Sequence, residues 1–206
     1  MDTRVVITDE RNRKAKRILP EEEKPQWWAM SAPYQREMKA KELLDSHGIA
    51  NFVPMHWEKK VLPRGGWKEV LVPVIHNLIF AYCTKTRIQQ VKKGVPYLQF
   101  HTRPEDGAAA SDRQLRVPII VPDKQMEDFM RVCGTFSRHL HFYGPDELPD
   151  LAAGTPVRIK SGSLKGVEGT FVRIKGHRSR KVVINIPFVA SVVPMTIDAS
   201  EIEEVV

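Results

Sequence analysis

The sequence predicts an α+β chain in two parts, an α/β sandwich of strands and helices of about 110 residues, an ordinary domain size, followed by a small β-barrel. Three observations lead there. Up to Gly134, apolar strands alternate with segments whose apolar residues recur every three to four positions, the period of a helix with one buried face. From Thr135 to Ala153 the chain is polar and punctuated by proline, as in Gly144-Pro145-Asp146-Glu147-Leu148-Pro149-Asp150, which is the composition of a linker. Beyond Pro156, short segments carry apolar residues at every second position with turns between them, the pattern of a small barrel.

Residues 1–24 mix seven basic with six acidic side chains and offer little apolar surface, so they read as a mobile tail. Gln26 to Ser31 begins an apolar strand. A helix follows, opened by Pro33 near its first turn and closed by Gly48; Ala40, Leu43, Leu44 and His47 share one face, with Tyr34, Met38 and Lys41 on a second stripe. Ile49 to Pro54 is a strand, and the pair Gly65-Gly66 supplies the reversal of a hairpin whose returning arm runs from Trp67 to Tyr82. Pro73 cannot donate to a ladder and marks an edge or bulge in that arm. Thr86 to Lys93 is a short helix, Val95 to His101 a strand, and Arg103 to Arg116 a flexible excursion. Asp123 caps a helix in which Met126, Phe129, Met130 and Cys133 fall at the i, i+3, i+4 and i+7 positions before Gly134 ends it.

Charge is unevenly distributed. The 206 residues carry 32 Lys and Arg against 25 Asp and Glu, a formal net charge of +7. Between Val157 and Lys181 stand eight basic residues and one acid, so this window accounts for the whole excess and is the place to expect RNA or an acidic protein. At 42% hydrophobic, the chain can bury a core. It has no apolar run of membrane-spanning length and its start lacks a secretion signal, so the expectation is a cytoplasmic protein without membrane contact. Cys83 and Cys133 stand far apart with no CxxC partner, so reduced thiols are expected. His139 and His141 would need a further ligand to hold a metal, and no P-loop, nucleophile elbow, metalloprotease or dinucleotide fingerprint is present. No enzyme, metal or cofactor is expected.

The segment Gly154-Thr155-Pro156-Val157-Arg158-Ile159 followed by Gly162-Ser163-Leu164-Lys165-Gly166-Val167-Glu168-Gly169 has the form of a KOW motif. It resembles the G-D-x-V-R-V and G-P-F-K-G-x-E-G pattern of the NusG family of transcription elongation factors, with Leu164 in place of Phe. Pro73-Val74-Ile75-His76-Asn77-Leu78-Ile79-Phe80 is similar to the family's F-P-G-Y strand element, from which His76 and Leu78 depart. The resemblance covers Pro25 to Val206. It implies an NGN domain at 25–134 with an antiparallel sheet flanked by helices, a linker at 135–153, and an SH3-like KOW barrel at 154–206. The departures resemble specialised members, RfaH and the UpxY-type regulators of capsular polysaccharide operons in Bacteroides, more than the housekeeping factor.

The resemblance further implies a monomer that binds elongating RNA polymerase, on the clamp of the largest subunit and toward the second-largest, to suppress pausing or termination. Nascent RNA, non-template DNA, a ribosomal protein or Rho are the further partners it suggests. Two rival readings are a housekeeping factor coupling polymerase to the ribosome or Rho, and a ribosome-associated RNA-binding KOW protein. For polymerase contact, the candidates are Leu78 and Phe80, which share a strand face, with Trp28, Tyr34 and Met38. For the KOW unit, Lys165, Arg173, Lys175, Arg178, Arg180 and Lys181 are read as contacts to RNA phosphate, contacts to an acidic protein face, or a solvated rim. Phe188 matches the loop Phe through which the family's KOW domains meet partners, and Gly166 and Gly169 permit the motif's turn. Thr84, Thr86 and Arg87 read as a solvated turn.

Overall fold

In the computed structural model, residues 24–105, 116–135, 140–144, 154–173, 180–194, 197 and 199–205 are described. Residues 1–23 of the expected N-terminal tail, His139, Lys175 and Arg178 lie outside that set. The first sheet is built on β1 (Gln26–Ser31) and β5 (Leu78–Cys83), which pair antiparallel with Ala29 opposite Phe80 and Ser31 opposite Leu78. β2 (Ala50–Phe52) extends it beside β5, while β6 (Gln99–Phe100) and β9 (Ile120–Val121) both pair with the other edge of β1.

Both faces of this sheet are covered, which explains why β5 is apolar without alternation. Trp28, Met30, Ile79 and Ala81 turn toward α1 (Glu37–Ser46) and α2 (Lys85–Lys92), packing with Ala40, Leu44, Ile88 and Val91. Ala29, Leu78 and Phe80 turn the other way, into a cluster with Met126, Phe129, Val132 and Cys133 of α3 (Asp123–Cys133). Trp27 joins that second cluster half-buried, so the adjacent tryptophans serve two cores on opposite sides of one strand.

Helix starts differ from expectation. α1 begins at Glu37, four residues after Pro33, because Tyr34 and Gln35 both take left-handed backbone (φ 63 and 54) and form a tight knuckle first. Asn77 holds it: its carbonyl accepts from Ala32 N at 2.8 Å and its side-chain oxygen accepts from Gln35 N at 2.9 Å. The almost fully buried Glu37 carboxylate accepts from Asn77 N at 3.3 Å, closing the lock. In α3, Pro122 occupies the N-cap and Asp123 sits inside the first turn, where its charge complements the helix dipole. α2 is capped by Thr84, whose hydroxyl accepts from Arg87 N at 3.2 Å. The solvated-turn threonine is therefore a helix cap.

Two hairpins stand apart from the sheets. β3 (Met55–Val61) and β4 (Trp67–Pro73) pair over seven positions, and β7 (Thr102–Pro104) pairs with β8 (Arg116–Pro118), giving strands to both ends of the expected excursion. The second large sheet is antiparallel throughout, in the order β10 (Leu140–Tyr143), β14 (Ala190–Pro194), β13 (Arg180–Ile186), β12 (Glu168–Arg173), β11 (Thr155–Ile159), β15 (Ile202–Glu204). β10 falls within the stretch read as linker. Its Leu140 and Phe142 alternate with His141 and pack into the core beside β14, so four residues of that stretch are structure.

α3 is shared between the two halves. Its apolar residues belong to one continuous buried cluster that also contains Val157, Ile159, Val182, Ile184 and Val192 of the second sheet. Its polar face grips that sheet: Gln125 Nε2 donates to Asn185 O at 2.6 Å, and Asp128, 3% exposed, accepts from Glu168 N at 3.1 Å.

Candidate partner-binding surfaces

The five residues expected to meet a partner from the front half divide sharply. Trp28 is 3% exposed, Leu78 1% and Phe80 0%, whereas Tyr34 is 85% and Met38 39% exposed. The first three are corrected to core residues. Trp28 donates Nε1–H to Cys83 O at 2.8 Å and tilts against Phe100 at 5.3 Å between centroids. Phe80 meets Phe129 edge-on at 5.9 Å and Phe52 at 6.5 Å. The strand pattern placed Leu78 and Phe80 on one face correctly, but a helix more than forty residues later covers that face.

Tyr34 remains as an outward aromatic, held out by the knuckle at the start of α1. The Arg36 guanidinium lies 5.6 Å from its ring centroid and 5.3 Å from that of Tyr97, and Lys39 Nζ lies 5.5 Å from Tyr97. Cations over ring faces at these distances make a mixed basic and aromatic patch. Arg36 and Tyr97 were not singled out in the sequence. Nothing in the periodicity of α1 brings residue 97 beside residue 36, because that contact crosses the sheet edge.

The KOW-like turn faces α3 with its backbone. Arg131 donates to Lys165 O at 2.7 Å and to Ser163 O at 3.0 Å, and Lys124 donates to Gly166 O at 3.2 Å. Gly166 needs its glycine for a φ of +86. Gly169 needs it for space, since a Cβ there would stand 2.7 Å from Val183 O. The Lys165 side chain is exposed. Arg173 and Arg180 lie directly opposite each other across β12 and β13, both exposed, and Arg180 sits 5.9 Å from the Phe171 ring centroid. Lys181 is half-buried, opposite Val172. Phe188 is 59% exposed in left-handed backbone (φ 63), presented on the β13–β14 turn.

A third surface escaped the sequence reading. Register places Trp57 opposite Leu71 and Val61 opposite Trp67 on one face of the β3–β4 hairpin, and all four are exposed. Counting back from Gly65-Gly66 would have found them, because residues two apart on each arm share a face.

Neither thiol is poised to react. Burial raises the Cys83 thiol to about 11 and pushes that of Cys133 up further. Among the described residues no group of three or more His, Cys, Asp or Glu is placed to hold a metal, and no helix is long and apolar enough to cross a membrane.

Comparison with known proteins places these surfaces in context. A family model described as "Transcription termination factor nusG" matches residues 25–130. A solved structure from Thermotoga maritima, described as "Domain interaction in Thermotoga maritima NusG", is 19% identical over 89% of this chain and 99% of its own, with a TM-score of 0.41. No curated protein matches the chain.

Proposed function

The chain belongs to the NusG family, and from that premise we propose that it rides on elongating RNA polymerase and suppresses pausing or termination at a restricted set of operons. Family membership supports a role in transcription elongation and termination, and the reading includes no catalytic step. The finer reading rests on one observation, the exposed residues Tyr34, Arg36 and Met38 around the start of α1, with the half-buried Tyr97 ring beside Arg36.

Such a patch suits a large protein partner. Tyr and Arg supply contact area and hydrogen bonding together, and they are enriched among the residues that carry interface energy. The left-handed knuckle costs free energy and is held by the Asn77 and Glu37 contacts, as strained backbone at binding sites commonly is. With Trp28, Leu78 and Phe80 in the core, polymerase contact moves from the sheet face to this rim. The clamp of the largest subunit and the facing second-largest subunit are the surfaces we assign to it.

The front unit, 25–134, is the polymerase-binding part, and 154–206 is the partner module, the protein acting as a cytoplasmic monomer. Arg173 and Arg180 opposite one another at one end of β13, and Phe188 on the turn at its other end, are the features that support contact with RNA phosphate, a ribosomal protein or Rho. Restriction to selected operons, polysaccharide operons among them, rests on the departures at His76, Leu78 and Leu164 from the family's usual motifs.

Capture of RNA polymerase from lysate by the full chain tests the reading. Tyr34→Ala and Met38→Asp should each reduce capture at unchanged melting temperature, because both side chains are exposed. Equal capture by wild type and both variants would remove the patch from the contact.

A further inference from the structure

Among the described residues, four that are not glycine take left-handed backbone: Tyr34, Gln35, Asn77 and Phe188. Three of them meet at one place. The ladder between β1 and β5 ends at Ser31 opposite Leu78, and one residue further out Ala32 N donates to Asn77 O at 2.8 Å. Asn77 (φ 65) then reaches across to the knuckle, where its Oδ1 accepts from Gln35 N at 2.9 Å.

We infer, resting on the polymerase reading, that Asn77 is a positioning residue for that contact, its side chain holding the Tyr34 ring in the outward pose that the partner meets.

A chain reversal alone would not need this arrangement. Glycine takes φ near +60 without a Cβ penalty, and a reversal built only for its shape would carry glycine at 34 and 35. Here both positions carry side chains, and the first is an aromatic ring 85% exposed. Tyr34 therefore gains little burial to offset its strain. Strained backbone of this kind persists where surrounding contacts over-determine it, and it gathers at binding sites. What the strain provides here is direction. The ring stands outside the core, with the Arg36 guanidinium 5.6 Å from its centroid and Met38 exposed in the first turn of α1.

The backbone of Asn77 is fixed from the core side. Its N–H donates to Glu37 Oε2 at 3.3 Å, and His76 Nδ1 stands 3.5 Å from Glu37 Oε1. Glu37 is almost fully buried, and a carboxylate taken out of water has to keep its bonds. With its N–H held by Glu37 and its carbonyl by Ala32, Asn77 has its side chain left to act on the knuckle. Arg36 N bonds to Ala32 O within the same segment, whereas Gln35 N takes its acceptor from 42 residues away. Loosening that bond lets the ring leave its pose. Apparent affinity then falls with the fraction of molecules that remain competent to bind.

Titration of the fluorescently labelled full chain with purified bacterial RNA polymerase tests this. Asn77→Gly keeps the left-handed backbone, the N–H that Glu37 holds and the carbonyl that Ala32 reaches, and removes the acceptor of Gln35 N. It should weaken binding about fivefold, the factor that one hydrogen bond corresponds to. Hydrogen exchange at the Gln35 amide should quicken by a similar factor, with circular dichroism showing the fold retained. Because Asn77 acts through Tyr34, the double variant Tyr34→Ala/Asn77→Gly should bind no more weakly than Tyr34→Ala alone; a structural role elsewhere would add the two losses. Wild-type affinity in Asn77→Gly overturns the inference, as does unchanged exchange at Gln35 or additive losses in the double variant; in each of these cases a weakened Tyr34→Ala leaves the polymerase reading standing. Wild-type affinity in Tyr34→Ala removes that reading, and the role of Asn77 with it.

Discussion

Replacing Phe80 by alanine separates a core residue from a docking residue. Phe80 is fully buried and contacts Phe129 at 5.9 Å and Phe52 at 6.5 Å. Truncating a buried Phe costs about 3–5 kcal/mol, through lost transfer free energy and the cavity left behind. Each aromatic pair adds about 0.5–1.5 kcal/mol beyond area, which favours a value near 4 kcal/mol. The buried cluster runs from Phe80 through α3 into the second sheet, so the chain is expected to melt with that cluster as one unit. For a unit of this size 1 kcal/mol moves the midpoint by about 2–4 °C, giving a fall of roughly 8–16 °C. Circular dichroism melting reads it, with Met38→Ala as an exposed control expected within about 0.5 kcal/mol of wild type. An unchanged midpoint for Phe80→Ala, with polymerase capture lost, would show that Phe80 binds a partner and that the packing described here is wrong.

Three further outcomes follow from particular contacts. Asp128→Ala removes the acceptor for Glu168 N and the partner of Lys124 at 2.5 Å; the Lys124 pair is half-exposed and counts for little, so the backbone bond dominates and urea denaturation should show a loss of about 2 kcal/mol. Gly169→Ala forces a Cβ against Val183 O and should cost about 1–3 kcal/mol, measured the same way, whereas Gly65→Ala meets no neighbour and is limited to its backbone strain at φ 83. His101 is held neutral by burial, with its pKa below the ordinary 6.5; above that value both states are neutral and it contributes nothing, while below it the unfolded chain takes up the proton first and stability falls. Melting between pH 7 and pH 5 should show that loss, reduced in His101→Gln.

Much of the fold was legible because it is local. Apolar periodicity marked α1, α2, α3 and the strands on either side of them, Gly48 and Gly134 ended their helices, and Gly65-Gly66 marked the hairpin reversal. The KOW-like turn could be read because Gly166 and Gly169 answer constraints imposed within a few residues and by one neighbouring strand. β10 was less visible. Its Leu140-His141-Phe142-Tyr143 alternation is short, and the prolines that follow dominate the local composition.

The site was harder to read, for a reason of geometry. Sequence alternation says which residues share a face, and it grouped Leu78 with Phe80 correctly; it does not say whether that face meets water. α3 decides that, arriving from residues 123–133 to bury both. The Tyr34, Arg36 and Tyr97 cluster likewise exists only because a chain turn and a sheet edge bring distant segments together. Sequence alone determined the periodicities, the turns, the family and the charge of the rear half, since each is written in neighbouring residues. Tertiary packing decided which apolar faces stay exposed, because burial depends on what folds back over them.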